Sequence, residues 1–318
     1  MEKIHGKLSP KKTLIIKPNI NDFEKYFSKN MQRDNVDVFD YLKPFIIYEN
    51  KYINMVFKVI RRLDLFIPIY EKFFGDWWKN MPYYERVIVF DYFATPQMMR
   101  RIKKRYPNVD LILWAWNTAP ENIEEFKKYC TVYCFDHASC EKWGLNYNTQ
   151  FYFETKEDKW KQEKKSVYFI GADKGRYDNL CKVATVLENN GISYKFEILS
   201  SNNIQNENDT ITILQKPKDY EYIIQQIKKS ACILEIVKDG QDGISLRALE
   251  ALFFRKKLIT NDTKIREYDF YKKKNIFILG VDQIEELNVF INEPYEEVPN
   301  DIKKEYTYEM WLNRMHTK

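Results

Sequence analysis

No stretch of this sequence approaches the ~18 consecutive apolar residues that a membrane-spanning helix needs, which argues against an integral helical membrane protein. The first twelve residues carry charges and no apolar centre, so a secretory signal is not expected and the protein reads as cytoplasmic. Cysteines number five, an odd count in a long chain, which argues against a disulfide framework. No Asp-x-Asp triplet occurs to seat a divalent ion on adjacent carboxylates. No Gly-x-Ser-x-Gly elbow occurs to present a nucleophilic serine. Neither the three-glycine dinucleotide pattern nor a P-loop is present. Histidines are scarce: His5 and His316 lie at the termini, leaving His137 as the one placed for catalysis.

What is present suits a two-domain soluble enzyme. The 318 residues exceed one ordinary α/β domain, and 44% hydrophobic with 31% charged residues is a globular mixture. The net charge of +5 is uneven. Residues 1–155 hold 24 Lys/Arg against 19 Asp/Glu, whereas the remainder balances. That bias suits an anionic partner such as a phosphate-bearing acceptor, a membrane surface or nucleic acid, and equally a lysine-rich solvated surface.

Short apolar runs alternate with helical patterns. Residues 13–17 (TLIIK), 86–90 (RVIVF), 111–114 (LILW) and 132–135 read as strands, with helices at 23–29, 54–63, 96–104 and 122–128 between them. Residues 154–165 (ETKEDKWKQEKK) have no apolar period and read as a linker. The alternation then restarts. Strands are expected at 167–170, 194–199, 231–237, 257–260 and 275–279, and helices at 177–189, 220–229 and 246–254. Residues 202–209 read as a polar loop and 301–315 as a terminal helix. This order predicts two parallel sheets covered by helices, with ligands outside the carboxyl ends of the strands.

Two segments stand at such ends. The strand at 167–170 runs into Gly171-Ala-Asp-Lys-Gly-Arg176 and then a helix. A helix N-terminus with Lys174 and Arg176 beside it suits a phosphate, or else is a tight turn with two solvated cations. The second segment follows a buried strand ending at Val237, with Gly240 and Gly243 in the loop, Ser245 as N-cap and a helix from Leu246. Free N–H groups at Gly243, Ile244 and Ser245 would meet a diphosphate. Glu250, a turn deeper, would accept hydrogen bonds from a ribose diol, and Asp242 stands eight positions earlier. The competing reading makes Arg247 and Glu250 an ordinary i, i+3 ion pair.

Here the sequence resembles a family. The acid, seven residues and Glu of 242–250, with residues 243–261 (GISLRALEALFFRKKLITN), 168–176 (YFIGADKGR) and 132–148 (VYCFDHASCEKWGLNYN), resembles GT-B-fold bacterial glycosyltransferases that build capsule and lipopolysaccharide. Asp242 stands where members that retain anomeric configuration carry Glu. The resemblance implies an α/β fold of two Rossmann-like domains facing across a cleft. Residues 1–158 would bind acceptor, 159–295 would bind the nucleoside-diphosphate-sugar donor, and 296–318 would form a C-terminal helix crossing back toward the first domain. It implies that Glu250 holds ribose, that Gly243 to Ser245 and Arg176 hold the diphosphate, and that Asp242 lies near the donor sugar. Gly171, Lys174 and Arg247 complete the expected donor set.

The first domain should supply the acceptor side. Asp91 follows RVIVF, Asn117 follows LILWAW, and Asp136 and His137 follow VYCF, all at strand ends. Asp91 is the leading general base, with His137 second, and Asn117 and Asp136 are expected to contact acceptor. Asp91 would otherwise be a loop cap on residues 92–95. The aromatic and basic stretch 52–84 is either helices packed on the sheet or a surface for a lipid-linked acceptor at the inner face of the membrane. Cys130, Cys134, His137 and Cys140 do not read as zinc ligands, because residues four apart on a strand are about 13 Å apart. The expected activity is metal-independent glycosyl transfer to a saccharide or glycolipid, with no cofactor and no nucleic acid partner. A sugar-nucleotide epimerase of the same fold, or a non-enzymatic nucleic-acid- or membrane-binding module, is the alternative.

Overall fold

The computed structural model describes residues 13–17, 19, 21–39, 55–56, 59, 80–92, 94–154, 166–200, 210–237 and 242–315. The linker reading at 155–165, the polar loop at 202–209, most of the aromatic stretch 52–84, Gly240, His5 and His316 lie outside them. The chain divides into two compact units, Met1–Asn148 with Asn313–Lys318, and Thr149–Leu312. Among the described residues no helix is long and apolar enough to cross a membrane.

The first unit is built on six parallel strands: β1 (Thr13–Ile16), β2 (Val36–Phe39), β3 (Arg86–Phe90), β4 (Asp110–Ala115), β5 (Thr131–Cys134) and β6 (Asn146–Tyr147). Their order across the sheet is β2-β1-β3-β4-β5-β6. The central strands are apolar throughout because both faces are covered. Leu14, Val87, Val89, Leu111 and Leu113 enter one core cluster, while Ile15, Ile88 and Ile112, which alternate with them, are equally buried. The helices are α1 (Asp22–Met31), α2 (Pro96–Arg105), α3 (Ile123–Lys127) and α4 (His137–Trp143). The sequence of α2 states its own limits. Thr95 caps it by accepting from Met98 N at 3.1 Å, Pro96 opens it, and Lys103, Lys104 and Arg105 sit at the negative end of the dipole. Its buried stripe of Met98, Met99 and Ile102 anchors it to the sheet, each side chain contributing roughly 1.5–3 kcal/mol. An acid at Ile102 would undo that anchoring.

The second unit repeats the plan with β7 (Ser166–Ala172), β8 (Ser193–Leu199), β9 (Ile211–Leu214), β10 (Cys232–Glu235), β11 (Lys257–Thr260) and β12 (Ile276–Ile278). These are parallel in the order β12-β11-β10-β7-β8-β9. The helices are α5 (Tyr177–Asn189), α6 (Tyr220–Lys229), α7 (Leu246–Phe253), α8 (Leu287–Asn292) and α9 (Asn300–Lys304), with α10 (Tyr308–Arg314) beginning here and its residues Asn313 and Arg314 counted with the first unit. Helix α5 buries Leu180, Val183, Ala184 and Leu187, the i, i+3, i+4, i+7 face that its sequence displays. The single terminal helix expected at 301–315 is two. Its interruption has a backbone cause: Tyr152 N–H donates to Tyr306 O and Tyr308 N–H donates to Tyr152 O, both at 2.9 Å, pulling residues 306–308 into a strand-like bridge.

Each sheet reverses its winding once. In the first unit the chain runs from β1 outward to β2, then returns to β1's other side at β3. In the second it runs from β7 out to β9, then returns at β10. Carboxyl ends at such reversal points diverge and leave a crevice where ligands bind in open α/β sheets.

Candidate functional site

In the second unit the crevice between the ends of β7 and β10 is lined by cations. Gly171 stands in a tight place: a Cβ there would come within 3.2 Å of the Phe169 ring and 3.7 Å of the Arg176 guanidinium. The turn that follows places Lys174 at φ 46° and Gly175 at φ 79°, and is closed by Arg176 N–H donating to Asp173 O at 2.8 Å. Lys174 is thereby held exposed on the turn. Arg176 folds back so that Nη1 donates to Ala172 O at 3.2 Å, and its buried Nε has no hydrogen-bond partner among the described residues. Burial lowers the Arg176 pKa, Glu235 opposes that shift, and the like charge of Arg247 reinforces it. Arg247 reaches the same strand end, with Nη2 donating to Ile170 O at 3.1 Å. Burial works against its charge, but Glu250 and the surrounding tyrosines outweigh that and hold its pKa above the ordinary value. Two guanidinium groups therefore converge on β7 carbonyls two residues apart.

The helix end beside them is closed by its own residues. Ser245 is the N-cap that the sequence signals, its Oγ accepting from Arg247 N at 3.0 Å and Ala248 N at 3.2 Å. The same hydroxyl donates to Glu235, whose second oxygen accepts from Thr260 Oγ1 at 2.6 Å. Glu235 is a buried acid ending an otherwise apolar strand, and burial raises its pKa against the pull of the two hydroxyls. Gly243 and Ile244 are buried. The anion-binding capacity of this crevice thus lies in side-chain guanidinium groups more than in open helix N–H groups. Asp242 is paired with Lys264 at 2.7 Å.

Glu250 is placed differently from the ribose-binding expectation. Its side chain is 1% exposed. One oxygen accepts from Tyr220 Oη at 2.5 Å and the other is ion-paired with Arg247. With both oxygens taken and no solvent-facing surface, the carboxylate offers nothing to a diol in this structure. The i, i+3 pair is real, but it is buried and not the surface pair that helix spacing alone suggests.

In the first unit Asp91 stands at the carboxyl end of β3, turned toward β4. It sits one residue beyond β3, and its Oδ1 accepts from Trp116 N at 3.1 Å across the end of β4. Burial pushes its pKa up to about 6, against the lowering effect of backbone N–H groups of Trp116, Asn117 and Tyr92. An acid with that pKa is a base in neutral solution with useful proton affinity. Its own carbonyl accepts from Ala94 N at 3.0 Å, so Asp91 also shapes the loop after the strand. Trp116 stands over this end in an aromatic group with Phe23, Phe27 and Phe90, at centroid distances of 5.4–6.5 Å. Asn117 is exposed beside it.

Other residues at this edge are assigned otherwise. The Asp136 carboxylate, 1% exposed, caps α4 by accepting from Ser139 N at 2.7 Å. His137 is exposed at the first turn of α4, its ring stacked on Tyr147 at 4.1 Å. Cys130 donates to Phe126 O at 3.3 Å, and burial pushes its pKa up to about 12. Cys140 lies against Cys134 O at 3.5 Å. Among the described residues no three His, Cys, Asp or Glu side chains converge as a metal site would require.

Sequence reasoning missed Lys17, Glu235, Tyr152 and Tyr220. Lys17 and Glu235 each interrupt or end an apolar strand run, which is a readable signal for a partnered charge. The tyrosines carry no local signal, because their partners are 30 or more residues away.

No family model and no curated protein matches this chain. Solved structures do. A variant of TarM from S. aureus, in complex with fondaparinux, α-GlcNAc-glycerol and UDP, superposes with a TM-score of 0.50 at 14% identity, over 73% of this chain and 54% of TarM. The chain thus spans about half the length of that protein. Sucrose-phosphate synthase from Thermosynechococcus elongatus superposes with a TM-score of 0.55 at 8% identity, over 96% of this chain and 97% of its own. At these identities the likeness is one of fold, and the fold in common is the α/β arrangement of two Rossmann-like domains of the GT-B type.

Proposed function

We propose that this chain is a glycosyltransferase that moves a sugar from a nucleoside diphosphate to a saccharide or glycolipid acceptor. The observation that carries this reading is the pair of guanidinium groups, Arg176 and Arg247, at the β7/β10 reversal point, one with a buried and unpartnered Nε. A diphosphate is the ligand whose charge and twin oxygens such a pair matches. The UDP bound to TarM supports it.

In this reading residues 159–295 form the donor side. Arg176, Arg247, Lys174 and the close turn at Gly171 hold the diphosphate, with the Gly243–Ser245 turn at its margin and Asp242 near the transferred sugar. Residues 1–158 form the acceptor side, and residues 296–318 form the C-terminal segment assigned to neither substrate. Asp91 takes the proton of the acceptor hydroxyl as its oxygen bonds to the anomeric carbon, while the bond from that carbon to the diphosphate breaks. His137 is the second candidate for that proton, and Asn117 contacts acceptor. Negative charge on the departing diphosphate is met by the two arginines, so the reaction is read as needing no metal and no cofactor. The resemblance to capsule and lipopolysaccharide enzymes, together with the basic bias of the first half, supports a role in bacterial surface polysaccharide synthesis at the cytoplasmic face of the membrane.

A thermal-shift panel of UDP, GDP, CMP and dTDP sugars tests the donor site, with one nucleotide expected to raise the melting temperature. Arg247→Ala should abolish that rise. No shift with any nucleotide would reject the reading. Conversion of the donor to an epimer without acceptor would replace transfer with epimerisation.

A further inference from the structure

Five groups in the second unit form one continuous hydrogen-bonded chain, buried up to the partly exposed Arg247. Tyr152 Oη lies 2.8 Å from Tyr220 Oη, Tyr220 donates to Glu250, Glu250 is ion-paired with Arg247, and Arg247 donates to Ile170 O. The direction of the chain follows from proton counting. Tyr220 has one hydroxyl proton, and the ionised carboxylate can only accept. That proton is therefore committed to Glu250, and Tyr152 must be the donor to Tyr220. The tyrosine and arginine links on both sides of Glu250 point toward the carboxylate, and the carboxylate in turn fixes the guanidinium.

We infer that Glu250 and Tyr220 are positioning residues that hold the Arg247 guanidinium in place for an incoming diphosphate, and that Glu250 is not a ribose ligand. The inference rests on the donor-site reading above. Two of the five N–H groups of a guanidinium are tied, one to Glu250 and one to Ile170 O, which fixes its plane. The others remain for a ligand. An arginine held on both sides meets its anion without first losing the rotamer freedom of a long side chain. Tyr152 and Tyr220 are among the largest fully buried side chains of the molecule, so the support beneath the arginine is rigid. Buried hydrogen-bonded networks of this kind strengthen one another in a low-dielectric surround.

Inorganic pyrophosphate is the deciding probe, because it has no ribose and no base. Its binding to the whole chain is measured by calorimetry for wild type, Glu250→Ala, Glu250→Gln and Tyr220→Phe. Removing a negative charge would by itself strengthen anion binding, so a weakening must come from misplacement of Arg247. Glu250→Ala is expected to bind pyrophosphate about tenfold or more weakly. Glu250→Gln keeps an oxygen for the arginine and should return to within about threefold of wild type. Tyr220→Phe should lose several-fold. Unchanged or tighter pyrophosphate binding by Glu250→Ala, with nucleotide binding lost, would overturn the inference, restore ribose contact and leave the donor site standing. Should Glu250→Ala fail to fold, a folded Tyr220→Phe with wild-type pyrophosphate affinity overturns it equally. Wild-type protein that binds neither pyrophosphate nor any nucleoside diphosphate would remove the donor site and this inference together.

Discussion

Lys17 and Arg176 occupy matching places in the two units, just past the first strand of each sheet at its reversal point, yet they are used in opposite ways. Lys17 is 1% exposed and its ammonium is surrounded: Glu24 Oε2 at 2.5 Å, Glu24 O at 3.0 Å, Ser28 Oγ at 3.1 Å and Asn19 Oδ1 at 3.3 Å. Arg176 has one hydrogen bond to a carbonyl and a buried Nε with none. A cation at a strand end is therefore not by itself a site. What separates the two is whether the protein has already satisfied the charge. In the first unit the perturbed group at a strand end is instead a carboxylate, Asp91, which accepts from backbone N–H groups and whose pKa burial raises to about 6. One unit thus has a buried carboxylate at its strand ends and the other has two guanidinium groups.

The largest effect is expected at Asp91. Asp91→Asn should lower transfer by about 10²–10⁴-fold if the carboxylate takes the acceptor proton. In the wild type kcat/KM should rise with pH through about 6 as the base ionises. Stability should move the other way. Folding raises the Asp91 pKa above the ordinary carboxylate value, so the folded state binds more protons between about pH 4 and 6. Its contribution to stability is full below pH ~4 and is lost as pH passes ~6. Asp91→Asn should then be more stable than wild type at pH 8, on the order of 2–3 kcal/mol by denaturant titration. An inactive variant that is also less stable would make the Asp91 side chain structural, through the Trp116 N–H that it accepts.

Lys17 and Arg176 should then dissociate cleanly. Lys17→Met strands the Glu24 carboxylate and is expected to destabilise on the order of 3 kcal/mol while leaving nucleotide affinity unchanged. Arg176→Gln removes a charge held at a loss and should leave stability within about 1 kcal/mol while weakening nucleotide binding about 10–100-fold. Titration and calorimetry on the two variants read both quantities. A binding defect in Lys17→Met, or none in Arg176→Gln, would erase the contrast between the units.

The same contrast explains what could be read from sequence. Central strands β1, β3, β4, β7, β10 and β11 are legible because burial on both faces makes them unbroken apolar runs. The strands that escape notice are β2, β6 and β9, all at sheet edges, where VDVF and ITIL mix polar and apolar residues and β6 is two residues long. Helix α4 also escapes, having no apolar period. Its ends are signalled only by the Asp136 cap and by Gly144 at φ 58°. Site residues follow the same logic. Asp91, Gly171, Arg176 and Ser245 stand at strand or helix ends and announce themselves. Glu250 does not announce its partners, because Tyr220 and Tyr152 are brought to it by the fold from 30 and 98 positions away. Helix spacing shows an ion pair with Arg247 but carries no information on burial, and the carboxylate is 1% exposed.

Ser245 gives the smallest and most discriminating effect. Its hydroxyl caps α7 and donates to Glu235, so it seals the helix end that an open N-terminus would offer to a diphosphate. Ser245→Ala should cost about 1 kcal/mol, read as a fall of a few degrees in melting temperature. It also bares the N–H groups of Arg247 and Ala248. If guanidinium groups hold the diphosphate, pyrophosphate affinity should change by less than about twofold, since neither arginine side chain uses that hydroxyl. If the ligand instead displaces the serine and takes the helix N–H groups, removing the competitor should tighten binding several-fold. Tightening of that size would mean that the capped helix is the resting form of an anion site, and that the helix end matters to the second unit as much as its two arginines.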